Sequence, residues 1–238
     1  MSVSVALAAK DGAQFILAQV ESVLLQLDEA RGDELVISVD PSLDDTADIA
    51  RRFSEKSPLV KYIDGPGRGV QANFEHALNA CQGDYIFLCD QDDVWMPNKV
   101  EEVMKALEVD SAELVLHDAM VVDEGLKQLH ASFFEQRGSK QGVWQNILKN
   151  SFMGCCMAFK KELLQTALPF PVKIPMHDQW LGLMATQQGT VSFLPQQLIK
   201  YRRHTNTATA NEHAGVWQMI AWRYDIIRAL QERKRKLK

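Results

Sequence analysis

Three carboxylates within four residues are the densest chemistry in this chain. The string Cys89-Asp90-Gln91-Asp92-Asp93-Val94-Trp95 follows directly on Tyr85 to Cys89, a run with the apolar character of a strand covered on both faces. The acids therefore fall at the carboxyl end of a buried strand, where open α/β sheets bind their ligands. Like charges so close raise one another's proton affinity. A divalent cation relieves that, and hard oxygen donors suit Mg²⁺ or Mn²⁺. Such a cation commonly brings a substrate phosphate with it. The plainer alternative is an acidic surface turn at the start of the helix expected from Met96.

On the residues alone, two metal chemistries fit. One is the DxD site of a glycosyltransferase, in which the cation grips a nucleotide diphosphate. The other is an aspartyl-phosphate phosphatase using Mg²⁺, because Asp90 to Val94 also satisfies DxDx[TV], with Asp90 as nucleophile and Asp92 as acid/base. The phosphatase string normally follows the first strand of its core, whereas three strand-helix units precede it here. It also requires a downstream lysine and a second acidic pair, and no convincing pair is present.

The elements that position these acids follow from periodicity. Strands are expected over Ser2 to Ala9, Glu34 to Val39, Leu59 to Ile63 and Tyr85 to Cys89. Between them, apolar residues at helical spacing mark helices over Ala13 to Leu27, Asp44 to Phe53 and Val70 to Cys81. This alternation implies a parallel sheet with right-handed crossovers. Beyond it, strands are expected at Glu113 to His117, Ala119 to Val122, Phe152 to Phe159, Val191 to Leu194 and Gln197 to Tyr201. Helices are expected at Lys161 to Leu168, Asp178 to Gln188 and from about Gly215. No Ser/Gly/Pro linker divides the halves, so one core is expected.

Composition narrows the classes. At 238 residues with 46% hydrophobic and 24% charged residues, the chain is ordinary globular protein. Its 26 basic and 31 acidic residues give a formal charge of −5, which does not point to a nucleic-acid partner. No apolar run of membrane-spanning length occurs. The beginning, MSVSVALAAKDG, does not read as a secretory signal. Cys81, Cys89, Cys155 and Cys156 form no CxxC pair and read as buried free thiols of a cytoplasmic protein, not as a zinc site.

Gly65 to Pro97 (GPGRGVQANFEHALNACQGDYIFLCDQDDVWMP) resembles the core of bacterial family 2 glycosyltransferases, most closely the rhamnosyltransferase-like group. Further similar segments come in the family's order: SVDPSLDDT at 38–46, NSFMGCCMAF at 150–159, MHDQWLGL at 176–183 and YRRHTN at 201–206. The resemblance covers about residues 3–210, and it selects glycosyl transfer over the phosphatase. It implies an α/β fold of the glycosyltransferase A type, with a Rossmann-like, mostly parallel central sheet flanked by helices. It further implies metal-dependent, inverting transfer from a nucleotide diphosphate sugar, UDP- or dTDP-linked, to a glycan or lipid-linked acceptor in bacterial surface polysaccharide assembly.

Carried over residue by residue, the resemblance makes Asp92 the principal metal ligand. Asp90 holds the metal or the donor ribose, and His204 reaches the metal or diphosphate. Asp40 accepts from N3–H of a uracil or thymine ring, and Ala8, Ala9, Lys10 and Asp11 border the base. Arg203 binds the diphosphate, with Arg202 and Arg68 as further candidates. Asp178 is the catalytic base; an N-cap role for it is the structural alternative.

The chain departs from the family at the donor-base pocket. Ala9-Lys10-Asp11-Gly12 stands where Thr-Tyr-Asn-Gly is common, and Val39 and Pro41 replace an acid and a glycine. Those departures keep a second alternative open, a degenerate nucleotide-sugar binder without catalysis. Residues 1–107 are expected to bind the nucleotide sugar and 108–214 the acceptor within a single domain, followed by a basic helix over 215–238. Arg223 to Lys238 holds seven basic residues against two acids. That suits peripheral contact with the inner face of an anionic membrane, or a solvated helix end matched to its dipole.

Overall fold

The computed structural model describes residues 1–204 and 215–237. Thr205 and Asn206, which close the YRRHTN string, and Lys238 lie outside the described residues. The first half alternates as its periodicity implies: β1 (Val3–Ala9), α1 (Ile16–Leu24), β2 (Glu34–Val39), α2 (Thr46–Lys56), β3 (Val60–Asp64), α3 (Val70–Ala80) and β4 (Tyr85–Asp90). Its four strands pair in parallel in the order β3-β2-β1-β4. The register sets Ala8 beside both Ser38 and Asp90, so the carboxyl ends of β1, β2 and β4 finish level with one another. Every residue of β1 is buried, and β4 is buried from Ile86 to Cys89, as strands sandwiched by helices require.

The second half continues the same sheet with β5 (Val94–Trp95), α4 (Lys99–Val109), β6 (Leu114–Val122), β7 (Gln128–His130), α5 (Phe133–Arg137), α6 (Val143–Leu148), β8 (Met157–Lys160), α7 (Leu163–Ala167), α8 (His177–Gln188), β9 (Val191–Arg202) and α9 (Val216–Lys236). Strand order is β3-β2-β1-β4-β8-β6-β9-β5, with β7 on β6. β8 runs antiparallel between β4 and β6, while β6 and β9 are parallel. The sheet is thus parallel through β4 and mixed beyond it. One apolar core runs from Val3 to Leu230 through both halves.

Five expected strands take a different form, in three places. Phe152 to Phe159 is strand only from Met157. Before it, Gly154–Cys156 make a single 3-10 turn, closed by Cys156 N–H donating to Met153 O at 3.0 Å. The two strands expected around Asp118 are one strand, β6, with a register shift there; the Asp118 carboxylate accepts from Ala119 N and Phe134 N at 2.8 and 2.9 Å. The last two are also one, β9, whose pairing jumps from Leu194 to Gln197. Pro195, lacking an N–H, sits in that irregularity. α8 lies close against the segment that leads into β8, because Gly182 meets the ring of Phe152, whose carbons a Cβ there would approach to 2.4 Å.

Candidate active site

The acidic string turns directly off β4. Asp90 ends that strand, half-buried, and Asp93 is fully buried three residues later. Asp93 Oδ1 accepts the Arg202 backbone N–H at 2.9 Å, while its Oδ2 has no hydrogen-bond partner among the described residues. Asp92 turns the other way, with Oδ2 2.8 Å from His204 Nε2. Arg202 completes the junction: its Nε donates to the Asp92 carbonyl at 2.6 Å and its Nη1 to the Glu124 carbonyl. The same guanidinium lies 4.8 Å over the Phe15 ring, and Phe15 in turn packs on His204. The end of β9 is therefore locked onto the acidic loop through both its backbone and its side chains.

These acids share one electrostatic environment. Burial, then the Asp92 and Asp178 carboxylates, push the Asp90 carboxyl up to about 7. Burial, then Asp92 and Asp90, hold Asp93 well above the usual carboxylate range. Asp90, Asp93 and Cys155 each present one donor atom within 4.8 Å of the others. Beneath them Lys99 is fully buried. Its Nζ donates to the Cys155 carbonyl at 2.7 Å and lies 4.1 Å from the Trp95 ring centre, and burial lowers its proton affinity.

Asp178 reaches this site from the first turn of α8. The cap position is Met176, not Asp178, but the Asp178 Oδ1 accepts the Gln179 N–H at 2.5 Å and so serves the same open helix end. Burial pushes its carboxyl up to about 6, against hydrogen bonds from the Gly154 backbone and the Asn150 side chain. Gly154 belongs to the 3-10 turn beside β8; a Cβ on it would sit 3.7 Å from that of Asp178 and 3.8 Å from Leu88 on β4. His177 stacks on Phe74 at 4.3 Å, and burial pushes it down to about 4, so it is neutral at physiological pH.

The strand ends opposite form a cradle. Lys10 is exposed, but its backbone N–H and C=O are both taken by the Gln91 side-chain amide at 2.9 and 2.8 Å. The acidic loop is thereby clamped to the end of β1. A Cβ on Gly12 would lie 2.1 Å from Gln91 Oε1, so a side chain there would push the Gln91 amide out of this clamp. Asp11, at φ +48°, accepts from Leu43 N at 2.6 Å. Asp40 is buried at the end of β2, where its Oδ1 accepts from Gly67 N at 2.8 Å and its own N–H donates to Ala9 O. Asn73 of the NFE string ties β1 to β2: its Nδ2 donates to Ala9 O and Ser38 O, and its Oδ1 accepts from Ser38 Oγ.

Most of the expected site residues thus meet at one end of the sheet: Ala8, Ala9, Lys10, Asp11, Asp40, Asp90, Asp92 and His204, with Asp178 facing Asp90. Arg203 stands apart. It is exposed, donates its N–H to Val122 O and lies 5.9 Å from the Tyr201 ring. Arg202 is the arginine that enters the loop. Asp93, Gln91, Cys155 and Lys99 were assigned no individual role from the sequence. Only Asp93 carried a visible signal, as the third acid of the string.

Comparison with known proteins agrees with this geometry. The family model Glycosyl transferase family 2 matches residues 4–168. An uncharacterised glycosyltransferase of Nostoc sp. is 25% identical over 222 residues, covering 90% of this chain and 67% of the relative. The amylovoran biosynthesis glycosyltransferase AmsE of Erwinia amylovora is 27% identical over 180 residues, 71% of this chain and 64% of that one. An uncharacterised protein of Mycobacterium tuberculosis is 26% identical over 191 residues, and the chain spans 51% of its length. Among solved structures, S. aureus TarS with UDP-GlcNAc superposes with a TM-score of 0.71 at 16% identity, covering 98% of this chain and 66% of that one. The mannosyltransferase PcManGT from Pyrobaculum calidifontis, with GDP-Man and Mn²⁺, gives 0.63 at 19% identity, covering 99% and 63%. These two likenesses concern the fold, which is of the glycosyltransferase A type. With the acidic loop, the cradle and the matched segment all on one framework, the chain belongs to glycosyl transferase family 2.

Proposed function

We propose that this protein moves a sugar, with inversion, from a nucleotide diphosphate donor to a glycan or lipid-linked acceptor. The single observation that carries the reading is the facing of Asp178 and Asp90. A carboxyl raised to about 6 by burial lies across from the acidic loop, close enough to raise the proton affinity of Asp90. A base poised near the working pH is what proton removal from a hydroxyl requires. Asp178 takes the proton of the acceptor hydroxyl, that oxygen bonds to the anomeric carbon, and the bond from that carbon to the diphosphate oxygen breaks.

The residues fit a divalent cation. Asp93 Oδ2 is a buried carboxylate oxygen without a hydrogen-bond partner among the described residues, and Asp90 lies beside it at the mouth of the site. Asp90, with Asp93 Oδ2 beside it, and Asp92 with its partner His204 are the residues that would hold Mg²⁺ or Mn²⁺. Bound there, the cation supplies compensation for the charge that builds on the diphosphate. The Gln91 clamp fixes the loop against β1, and Asp40 with Ala8 to Asp11 borders the nucleotide base. Residues 1–107 carry the donor side and 108–214 the acceptor side.

A UDP- or dTDP-linked donor is the reading that the Asp40 position favours, with a rhamnosyl donor as the form implied by the motif set. UDP-GlcNAc and GDP-Man in the two structural neighbours support a nucleotide-sugar donor in general. The part that AmsE plays in amylovoran biosynthesis supports a place in polysaccharide assembly. No described helix is long and apolar enough to cross a membrane, and we place the enzyme in the cytoplasm. The test is a thermal-shift panel of nucleotide diphosphates with and without Mn²⁺, since a ligand of the folded state raises its melting temperature. A cation-dependent shift with one nucleotide is expected; no shift with any of them contradicts the reading.

A further inference from the structure

α9 carries an exposed stripe that the proposed chemistry does not use. Trp217, Ile220 or Ala221, Tyr224, Arg228, Gln231 and Arg235 recur every three or four residues, so they share one helix face. The opposite face is seated on the body through Ile226, Ala229 and Leu230, while Arg233 Nη1 donates to the Leu168 carbonyl at 2.9 Å. On the outward face Trp217 is 84% exposed, Tyr224 64% and Ile220 49%. Arg223 Nη2 donates to the Leu148 carbonyl at 2.8 Å, which brings α6 alongside; there Trp144 is 69% and Leu148 63% exposed. Large apolar side chains exposed along one helix face mark an interaction surface.

Charge selects the occupant. The stripe is aromatic in its first half and basic in its second, where Arg228 and Arg235 continue it and Lys234 and Lys236 flank it, all exposed. The pairing of Arg228 with Glu232 at 2.8 Å is an exposed one that yields readily to competing anions. The whole chain is acidic at −5. An anionic surface therefore attracts this end and repels the rest, which orients the molecule. Tryptophan and tyrosine, apolar in body and polar at one edge, favour the boundary between headgroups and acyl chains.

We propose that α9 and α6 rest on an anionic membrane surface, with Trp217, Ile220 and Tyr224 entering the headgroup layer and the arginines and lysines facing lipid phosphates. The inference rests on the proposed function only for its purpose, which is to bring the site to a lipid-linked acceptor.

The test sediments the full chain, without substrate, with vesicles of phosphatidylcholine alone or mixed with phosphatidylglycerol. Binding to the anionic vesicles, a blue shift of tryptophan emission and release by high salt are expected. W217S/Y224S should weaken binding about ten-fold or more. K234Q/R235Q/K236Q should lose about five-fold per removed charge. Both variants should keep the wild-type thermal response to donor nucleotide, so failure at the membrane is separable from failure of the proposed activity. Wild-type protein that stays in the supernatant, binds both vesicle types equally, or binds no better than W217S/Y224S overturns the proposal. A wild-type dimer that W217S/Y224S converts to monomer also overturns it, because a second copy would then be the occupant.

Discussion

His204 Nε2 lies 2.8 Å from Asp92 Oδ2, so the end of β9 is joined to the acidic loop 112 residues earlier in the chain. The contact is shielded by Phe15, whose ring packs on His204 at 4.8 Å. It fixes the direction of the carboxylate expected to carry the cation. His204→Ala should therefore weaken Mn²⁺-dependent nucleotide binding about 10–100-fold, the usual cost of losing a ligand's support. Calorimetry with and without Mn²⁺ checks this, and equal affinities in a folded variant would remove His204 from the site.

Asp92→Asn tests the loop itself. The amide keeps the shape of the side chain but halves its capacity as a hard anionic donor. Cation-dependent binding of nucleotide diphosphate should be abolished while the melting temperature of the free protein stays near that of wild type. Unchanged Mn²⁺ dependence would contradict the assignment.

The crowded acids make stability depend on pH. Asp178 and Asp90 have folded values of about 6 and about 7, above the unfolded range near 4. Between those values these two groups hold more protons in the folded state than in the unfolded state, so their contribution to stability falls as pH rises through that window. Asp90→Asn, which has no proton to lose, should raise the stability of metal-free protein at pH 8 by about 1–3 kcal/mol. Urea unfolding of both proteins at pH 5 and pH 8 reads this as a difference, because the buried neutral His177 favours the fold as pH rises and is common to both; an Asp90→Asn protein whose advantage over wild type does not grow from pH 5 to pH 8 would contradict it.

Asn73 offers a structural control. Its side chain is buried and serves Ala9 O, Ser38 O and Ser38 Oγ, tying β1 to β2 beneath the cradle. Asn73→Ala leaves those groups without partners and should cost about 2–3 kcal/mol. Chemical denaturation measures it, and a loss below about 0.5 kcal/mol would show that water replaces the amide.

The parallel half of the fold was legible because β1, β2 and β4 carry nearly continuous apolar runs, with the shorter, more polar β3 beside them, separated by helical stripes. Asp90 and Asp92 were legible for a related reason, since a strand that ends in acids exposes them at the ligand-binding edge. What could not be read depends on long-range contact. Lys99 lies on an ordinary helix start, and only folding sets it under Cys155. The turn Gly154–Cys156 sits in an apolar run that local pattern extends as strand, yet it packs against α8, whose position the run does not encode. Arg202 and Arg203 are adjacent in sequence, and only the distant Asp92, Asp93 and Glu124 single out the first as the one held inside.

The most direct test of the account replaces Asp178 with Asn. The amide preserves shape and hydrogen bonding but cannot take a proton at neutral pH. The donor diphosphate is held by the loop at Asp90 and Asp92, so its affinity, read by calorimetry, should change little. Transfer to a working acceptor should fall by about 10²–10⁴, the usual worth of a general base, and the rise of wild-type turnover with pH through about 6 should disappear. Near-normal turnover in the Asp178→Asn protein, with that pH dependence intact, would contradict the assignment of Asp178 as the base.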